Sequence, residues 1–144
     1  MTEPNIAGAD DASDTEVGRY EKAFLATRRS LDESIRNLSV LQEFEEDTDR
    51  KDQLGETIIK LEGSRSDLVR ANVAFHSHTA TMVPPSPQQV AELIDLADQA
   101  TQLTQQRATA AASLKLATSA LNKFAKIQQL AADGPGNSGA GISQ

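Results

Sequence analysis

The sequence predicts an all-α protein: an elongated, antiparallel three-helix bundle, coiled-coil-like and up-down-up, with disordered termini. Three observations carry that expectation. Apolar residues recur every seven positions in three separate stretches: Val17, Phe24, Leu31 and Leu38; Leu54, Leu61, Leu68, Phe75 and Met82; and Leu96, Leu103, Ala110, Ala117 and Phe124. This is the spacing of a helical seam. The stretches are joined by short connections, one acidic and one rich in proline, as antiparallel neighbours require. Only 3% of the residues are aromatic, too few for a large globular core but sufficient for seams of Leu, Ile and Ala.

At 144 residues the chain is one domain. Residues 1–12 form a disordered acidic leader, residues 13–133 the bundle, and residues 134–144 a disordered Gly-rich tail. The helices are expected at about 14–46, 49–82 and 87–132.

The first helix opens on Ser13-Asp14-Thr15-Glu16, a capping-box pattern. Its stripe is Val17, Tyr20, Phe24, Leu31, Ile35, Leu38 and Leu41, with Thr27 and Ser34 in intervening seam slots and Phe44 over the end. Residues 43–52 then carry six carboxylates. A tight turn is expected near Asp47, with Thr48 or Asp49 capping the next helix. No proline or glycine forces that break, so one continuous helix is the alternative.

In the second helix the companion seam reads Ile58, Arg65, Asn72 and Thr79, polar after its first member, while Ile59, Val69 and Val73 form an apolar flank expected to face the third helix. Pro84, Pro85 and Pro87 end it. The third helix opens on Ser86-Pro87-Gln88-Gln89, where a capping serine, a proline at the first helical position and a glutamine at N3 agree. It closes on Asp133-Gly134-Pro135. An unbroken helix of that length is a rod of roughly 65–70 Å.

Folding the second helix back on the third pairs Leu61 with Ala110, Leu68 with Leu103 and Phe75 with Leu96, and sets Lys123 and Lys126 beside the acidic turn. The same register brings Arg65 and Arg107 level with Asp32 and Glu33, predicting a polar core layer in which a carboxylate bridges two guanidiniums. The alternative is that both arginines reach solvent over their aliphatic stems. The rod outruns its cover, leaving Ile127 and Leu130 as a short apolar tip. That tip, the edge formed by Val90 and Ile94, and the acidic residues Glu45, Glu46 and Asp47 are the expected partner-binding positions.

No residue is expected to be catalytic, cofactor-binding or metal-ligating, and no enzyme activity is expected. His76 and His78 are two apart, about 200° around a helix, and cannot chelate one ion together. Gly63-Ser64-Arg65-Ser66 lies within a helical pattern, not at a strand-to-helix elbow. A net charge of −7 argues against nucleic acid and anionic membrane surfaces as partners. No apolar run is long enough to span a bilayer, and no secretory signal is read at the start, so the expected compartment is the cytoplasm.

The expected architecture is similar to spectrin-type and other three-helix coiled-coil repeats, although their tryptophan is missing here. The function expected is a non-enzymatic helical interaction protein that docks through helix faces: an adaptor, an assembly subunit or a secretion-type chaperone. The partner is expected to be a protein, with homo-oligomerisation as a further possibility. The alternatives are a self-assembling structural coiled-coil subunit and a small acidic inhibitor or immunity-type protein.

Overall fold

The computed structural model describes residues 15–77 and 83–132, the side chains of 128–132 excepted. The leader, the tail and positions 78–82 of the expected second helix lie outside the described residues. Within them the protein is all-α, but it has four helices, not three: α1 (Glu16–Phe44), α2 (Thr48–His76), α3 (Pro87–Gln105) and α4 (Ala110–Ala132).

Local chemistry accounts for most boundaries. Thr15 caps α1, its hydroxyl accepting from the Gly18 N–H at 3.0 Å. The chain breaks at residues 45–47, and Asp47 itself, not Thr48 or Asp49, caps α2 by accepting from the Arg50 N–H. The turn is tight because Gln42 reaches across it to the Lys51 carbonyl at 3.1 Å. Gly55 makes room for that reach, since a Cβ there would stand 2.8 Å from the Gln42 amide nitrogen. At Ser86 the full capping box forms, with Pro87 at the first helical position.

The expected rod is a hairpin. The chain leaves α3 at Gln106, turns through Arg107 at φ 53°, and re-enters a helix at Ala110. The Ala108 N–H bonds the Leu103 carbonyl and the Arg107 N–H the Thr104 carbonyl, the two bonds of a Schellman C-cap. Thr109 then caps α4, its hydroxyl accepting from the Ala112 N–H at 3.2 Å. Burial explains the reversal. An α1 of 29 residues is about 44 Å long and cannot cover a 65–70 Å rod. Folding back buries Leu116, Ala117, Ala120, Phe124 and Ile127, each large side chain worth about 1.5–3 kcal/mol when removed from water.

The helices run up, down, up, down. Arg19 to Pro85, Arg29 to Asp98 and Glu33 to Thr104 pair in ascending order, so α1 and α3 are parallel. Asp32 to Arg65 and Glu21 to His76 make α2 antiparallel to α1. Asn37 to Ser113 and Tyr20 to Phe124 do the same for α4. α1 is the central helix and meets all three others, most extensively α3; α2 touches α4 marginally and α3 barely at all. The expected pairing of the second helix with the start of the third is therefore corrected. Phe75 stacks on Tyr20 at a centroid distance of 4.1 Å. Leu68 shares a cleft with Leu121 and Phe124 of α4. Lys123 pairs with Glu92 of α3 at 3.2 Å, far from the acidic turn.

Small side chains let three helices surround α1. Ala23, Ala26, Thr27, Ser30 and Ser34 are all buried there, matched by Ala97 and Ala100 on α3 and Ala117 and Ala120 on α4. The Thr104 hydroxyl of α3 reaches the Glu33 backbone carbonyl at 2.9 Å, which requires close approach of the two helices.

Candidate functional site

Two surfaces stand out, one at the corner that the four helices share and one along α2. The corner is held by Asn37, whose amide donates to the Ala108 carbonyl at 2.8 Å and to the Ser113 hydroxyl at 2.7 Å. One buried side chain of α1 thus fixes both the end of the α3 turn and the start of α4. Next to it the end of α1, the start of α2 and the corner enclose a cleft of about 660 Å3, within the range of small-ligand pockets. Val40, Leu41, Phe44 and Leu54 supply its apolar surface, and Arg50 and Arg107 stand beside them. Phe44 is 65% exposed. The Arg107 guanidinium lies 5.4 Å from the Phe44 ring centroid, a cation–π arrangement, and meets no carboxylate within ion-pair distance among the described residues. Arg50 lies 3.6 Å from Glu45 and 3.7 Å from Asp47.

The second surface is the outer face of α2. Of its 29 residues only Ile58, Leu61 and Leu68 are buried, because α3 does not cover it. Ile59 is 68% and Val73 60% exposed. Val73 continues into a shallow cleft of about 380 Å3 with Val69, Ser66 and the arginines Arg28, Arg65 and Arg70. Nearby carboxylates answer these only in part: Asp32 serves Arg65 at 2.8 Å and Arg28 at 3.9 Å, and Asp67 serves Arg70 at 3.5 Å. Three guanidiniums thus share two carboxylates.

The sequence-predicted positions are dispersed. Arg65 and Asp32 do meet, but their side chains are 35% and 41% exposed, so this is a surface ion pair worth about 1 kcal/mol or less. Arg107 is not in a layer with them, since the chain reversal carries it to the end of the bundle. Glu33 contributes its backbone carbonyl to Thr104. Ile127 is no exposed tip: it is buried, because α4 folds back along α1. The side chain of Leu130 lies outside the described residues. Val90 is buried in the core and Ile94 lies exposed on α3. Glu45 and Asp47 shape the turn, Glu45 accepting from the Asp47 N–H at 3.1 Å while Asp47 caps α2. Glu46 is exposed.

Sequence reasoning missed Asn37 and the corner cleft. Thr109 was the legible signal, a capping residue ahead of the Ala-rich start of α4, but no glycine marks the turn before it. Elsewhere, Tyr20 is buried between Phe75 and Phe124, and its hydroxyl meets no hydrogen-bond partner among the described residues. Burial, and secondarily the charge of Glu21, push its pKa from 10.0 up to about 12. His76 pairs with Glu21 across the α1–α2 interface. Among the described residues no group of three or more His, Cys, Asp or Glu side chains could hold a metal ion, and no helix is long and apolar enough to cross a membrane.

Comparison of the chain with protein-family models, with curated proteins and with solved structures finds no match.

Proposed function

We propose that the protein is a non-enzymatic helical interaction protein, of the adaptor, assembly-subunit or secretion-chaperone kind, that docks a partner protein along the outer face of α2. One observation carries the reading: a long helix stays half uncovered while presenting Ile59 and Val73, with Val69 only half-buried against the core between them. A helix whose only task is to complete a bundle places such residues inward and charged residues outward. Arg65 and Arg70 on that face, with Arg28 of α1 beside them, favour a partner helix with an apolar stripe and acidic flanks, docked as helix-in-groove recognition requires.

The test compares wild type with the Ile59→Lys/Val73→Lys double variant in affinity capture from lysate of the source cells. Both substitutions are at exposed positions, so folding should be unchanged by circular dichroism and urea melting. A partner retained by wild type and lost by the variant supports the reading. A wild type that recovers none, or a partner indifferent to the variant, contradicts it. If wild type instead grows in mass with concentration and the variant does not, the occupant is a second copy of the chain, and the self-assembling alternative replaces the adaptor.

A further inference from the structure

We propose that the corner cleft is a binding site for a small anionic amphiphile, a carboxylate carried on an unbranched apolar chain, with Arg107 as its carboxylate anchor. The inference is independent of the α2 face and goes beyond partner docking. Three features of the corner lead to it.

The first is shape and polarity. The cleft of about 660 Å3 is floored by Val40, Leu41, Phe44 and Leu54, and its charged lining is Arg50, Arg107 and Glu45. Glu45 and Asp47 both lie at Arg50, and Arg107 meets no carboxylate within ion-pair distance among the described residues, so Arg107 is the unanswered cation of the rim. A carboxylate at the rim and an apolar chain on the floor complement that arrangement, and an uncharged apolar molecule answers only half of it.

The second is the residue chosen for the turn. The C′ position of a Schellman motif at φ 53° is one that glycine occupies without strain. The chain instead carries the residue whose planar fork suits a carboxylate bidentately. Backbone held in a sparsely populated region concentrates at ligand-binding sites, where the surroundings over-determine it. Here Asn37 and the Thr109 cap do so.

The third is the state of the groups present. Arg107 rests over the Phe44 ring with no carboxylate within ion-pair distance among the described residues, and Phe44 is left largely exposed. An occupant of the stated kind would cover the ring and give the guanidinium its counter-charge at once.

The experiment titrates the full chain with sodium decanoate and with 1-decanol, each below its aggregation concentration, by calorimetry and by amide shift changes at Phe44 and Leu54. Decanoate should bind at least tenfold more tightly than decanol. In Arg107→Gly, which suits the turn, and in Arg107→Asn, which tolerates it, decanoate should fall to the level of decanol. Equal affinity of acid and alcohol for wild type would overturn the proposal, as would failure of both to bind. Retention of the tenfold preference in either folded variant would overturn the role of Arg107.

Discussion

Asn37 on α1 and Ala108 in the corner between α3 and α4 are 71 residues apart, and the asparagine amide donates to the alanine carbonyl at 2.8 Å. The same amide donates to Ser113 in the first turn of α4. Asn37 and Ser113 are each 1% exposed, so without the amide the serine hydroxyl would lose its donor away from water, and the half-buried Ala108 carbonyl would lose its protein partner.

Asn37→Ala should therefore destabilise the protein by about 1–3 kcal/mol, the penalty for orphaning buried polar groups. Urea melts of Asn37→Ala, Ser113→Ala and the double variant measure it, and the double variant should cost less than the sum of the two singles. An effect of Asn37→Ala below about 0.5 kcal/mol, the range of neutral surface changes, would show that this side chain does not hold the corner.

Arg107→Gly separates a turn from a helix by the sign of its effect. A non-glycine residue in the left-handed region is strained by about 1–2 kcal/mol, set against glycine's greater chain entropy and the lost Phe44 contact. Stability should stay level or rise by up to about 1 kcal/mol. Were residues 103–113 a continuous helix, glycine would cost about 1 kcal/mol instead.

Tyr20 gives the folded state a distinct alkaline limit. Its pKa is 10.0 ordinarily and about 12 in the folded protein. Below pH 10 the phenol is neutral in both states and stability does not depend on it. Between pH 10 and about 12 the unfolded chain loses the proton and the folded chain keeps it. Stability should then fall by up to about 2–3 kcal/mol. Tyr20→Phe should remove that part of the alkaline loss and cost little at neutral pH, because the hydroxyl has no hydrogen-bond partner among the described residues. Tyr20 is the only tyrosine, so absorbance near 295 nm follows its ionisation directly.

Which parts of this architecture were legible follows from where the information sits. The seams that define α1 and α2, the capping box at Ser86 and the acidic turn before Asp47 are local patterns, and local patterns survive in a one-dimensional reading. The α3–α4 corner is not local. Its turn residue is Arg107 where glycine is usual, and the seven-residue spacing of Leu103, Ala110, Ala117 and Phe124 runs through the break without a skip. Both arms of a hairpin must be amphipathic, so continuous periodicity cannot tell a hairpin from a rod. The stabilising partner, Asn37, is a single polar residue on another helix. The corner cleft depended on that reversal and was hidden with it. The apolar flank of Ile59, Val69 and Val73 could be read from α2 alone, but its surroundings could not: it was expected to face the third helix, and α3 leaves Ile59 and Val73 exposed.

The hairpin itself is open to a direct distance measurement. The chain has no cysteine, so Glu92→Cys and Lys123→Cys introduce two unique positions for spin labels. In the folded protein these side chains meet at 3.2 Å across α3 and α4. Double electron–electron resonance should therefore give a short separation, about 10–20 Å once helix spacing and label arms are included. An unbroken helix would hold the same positions roughly 45 Å apart at 1.5 Å per residue, and a distance near that value would contradict the four-helix account.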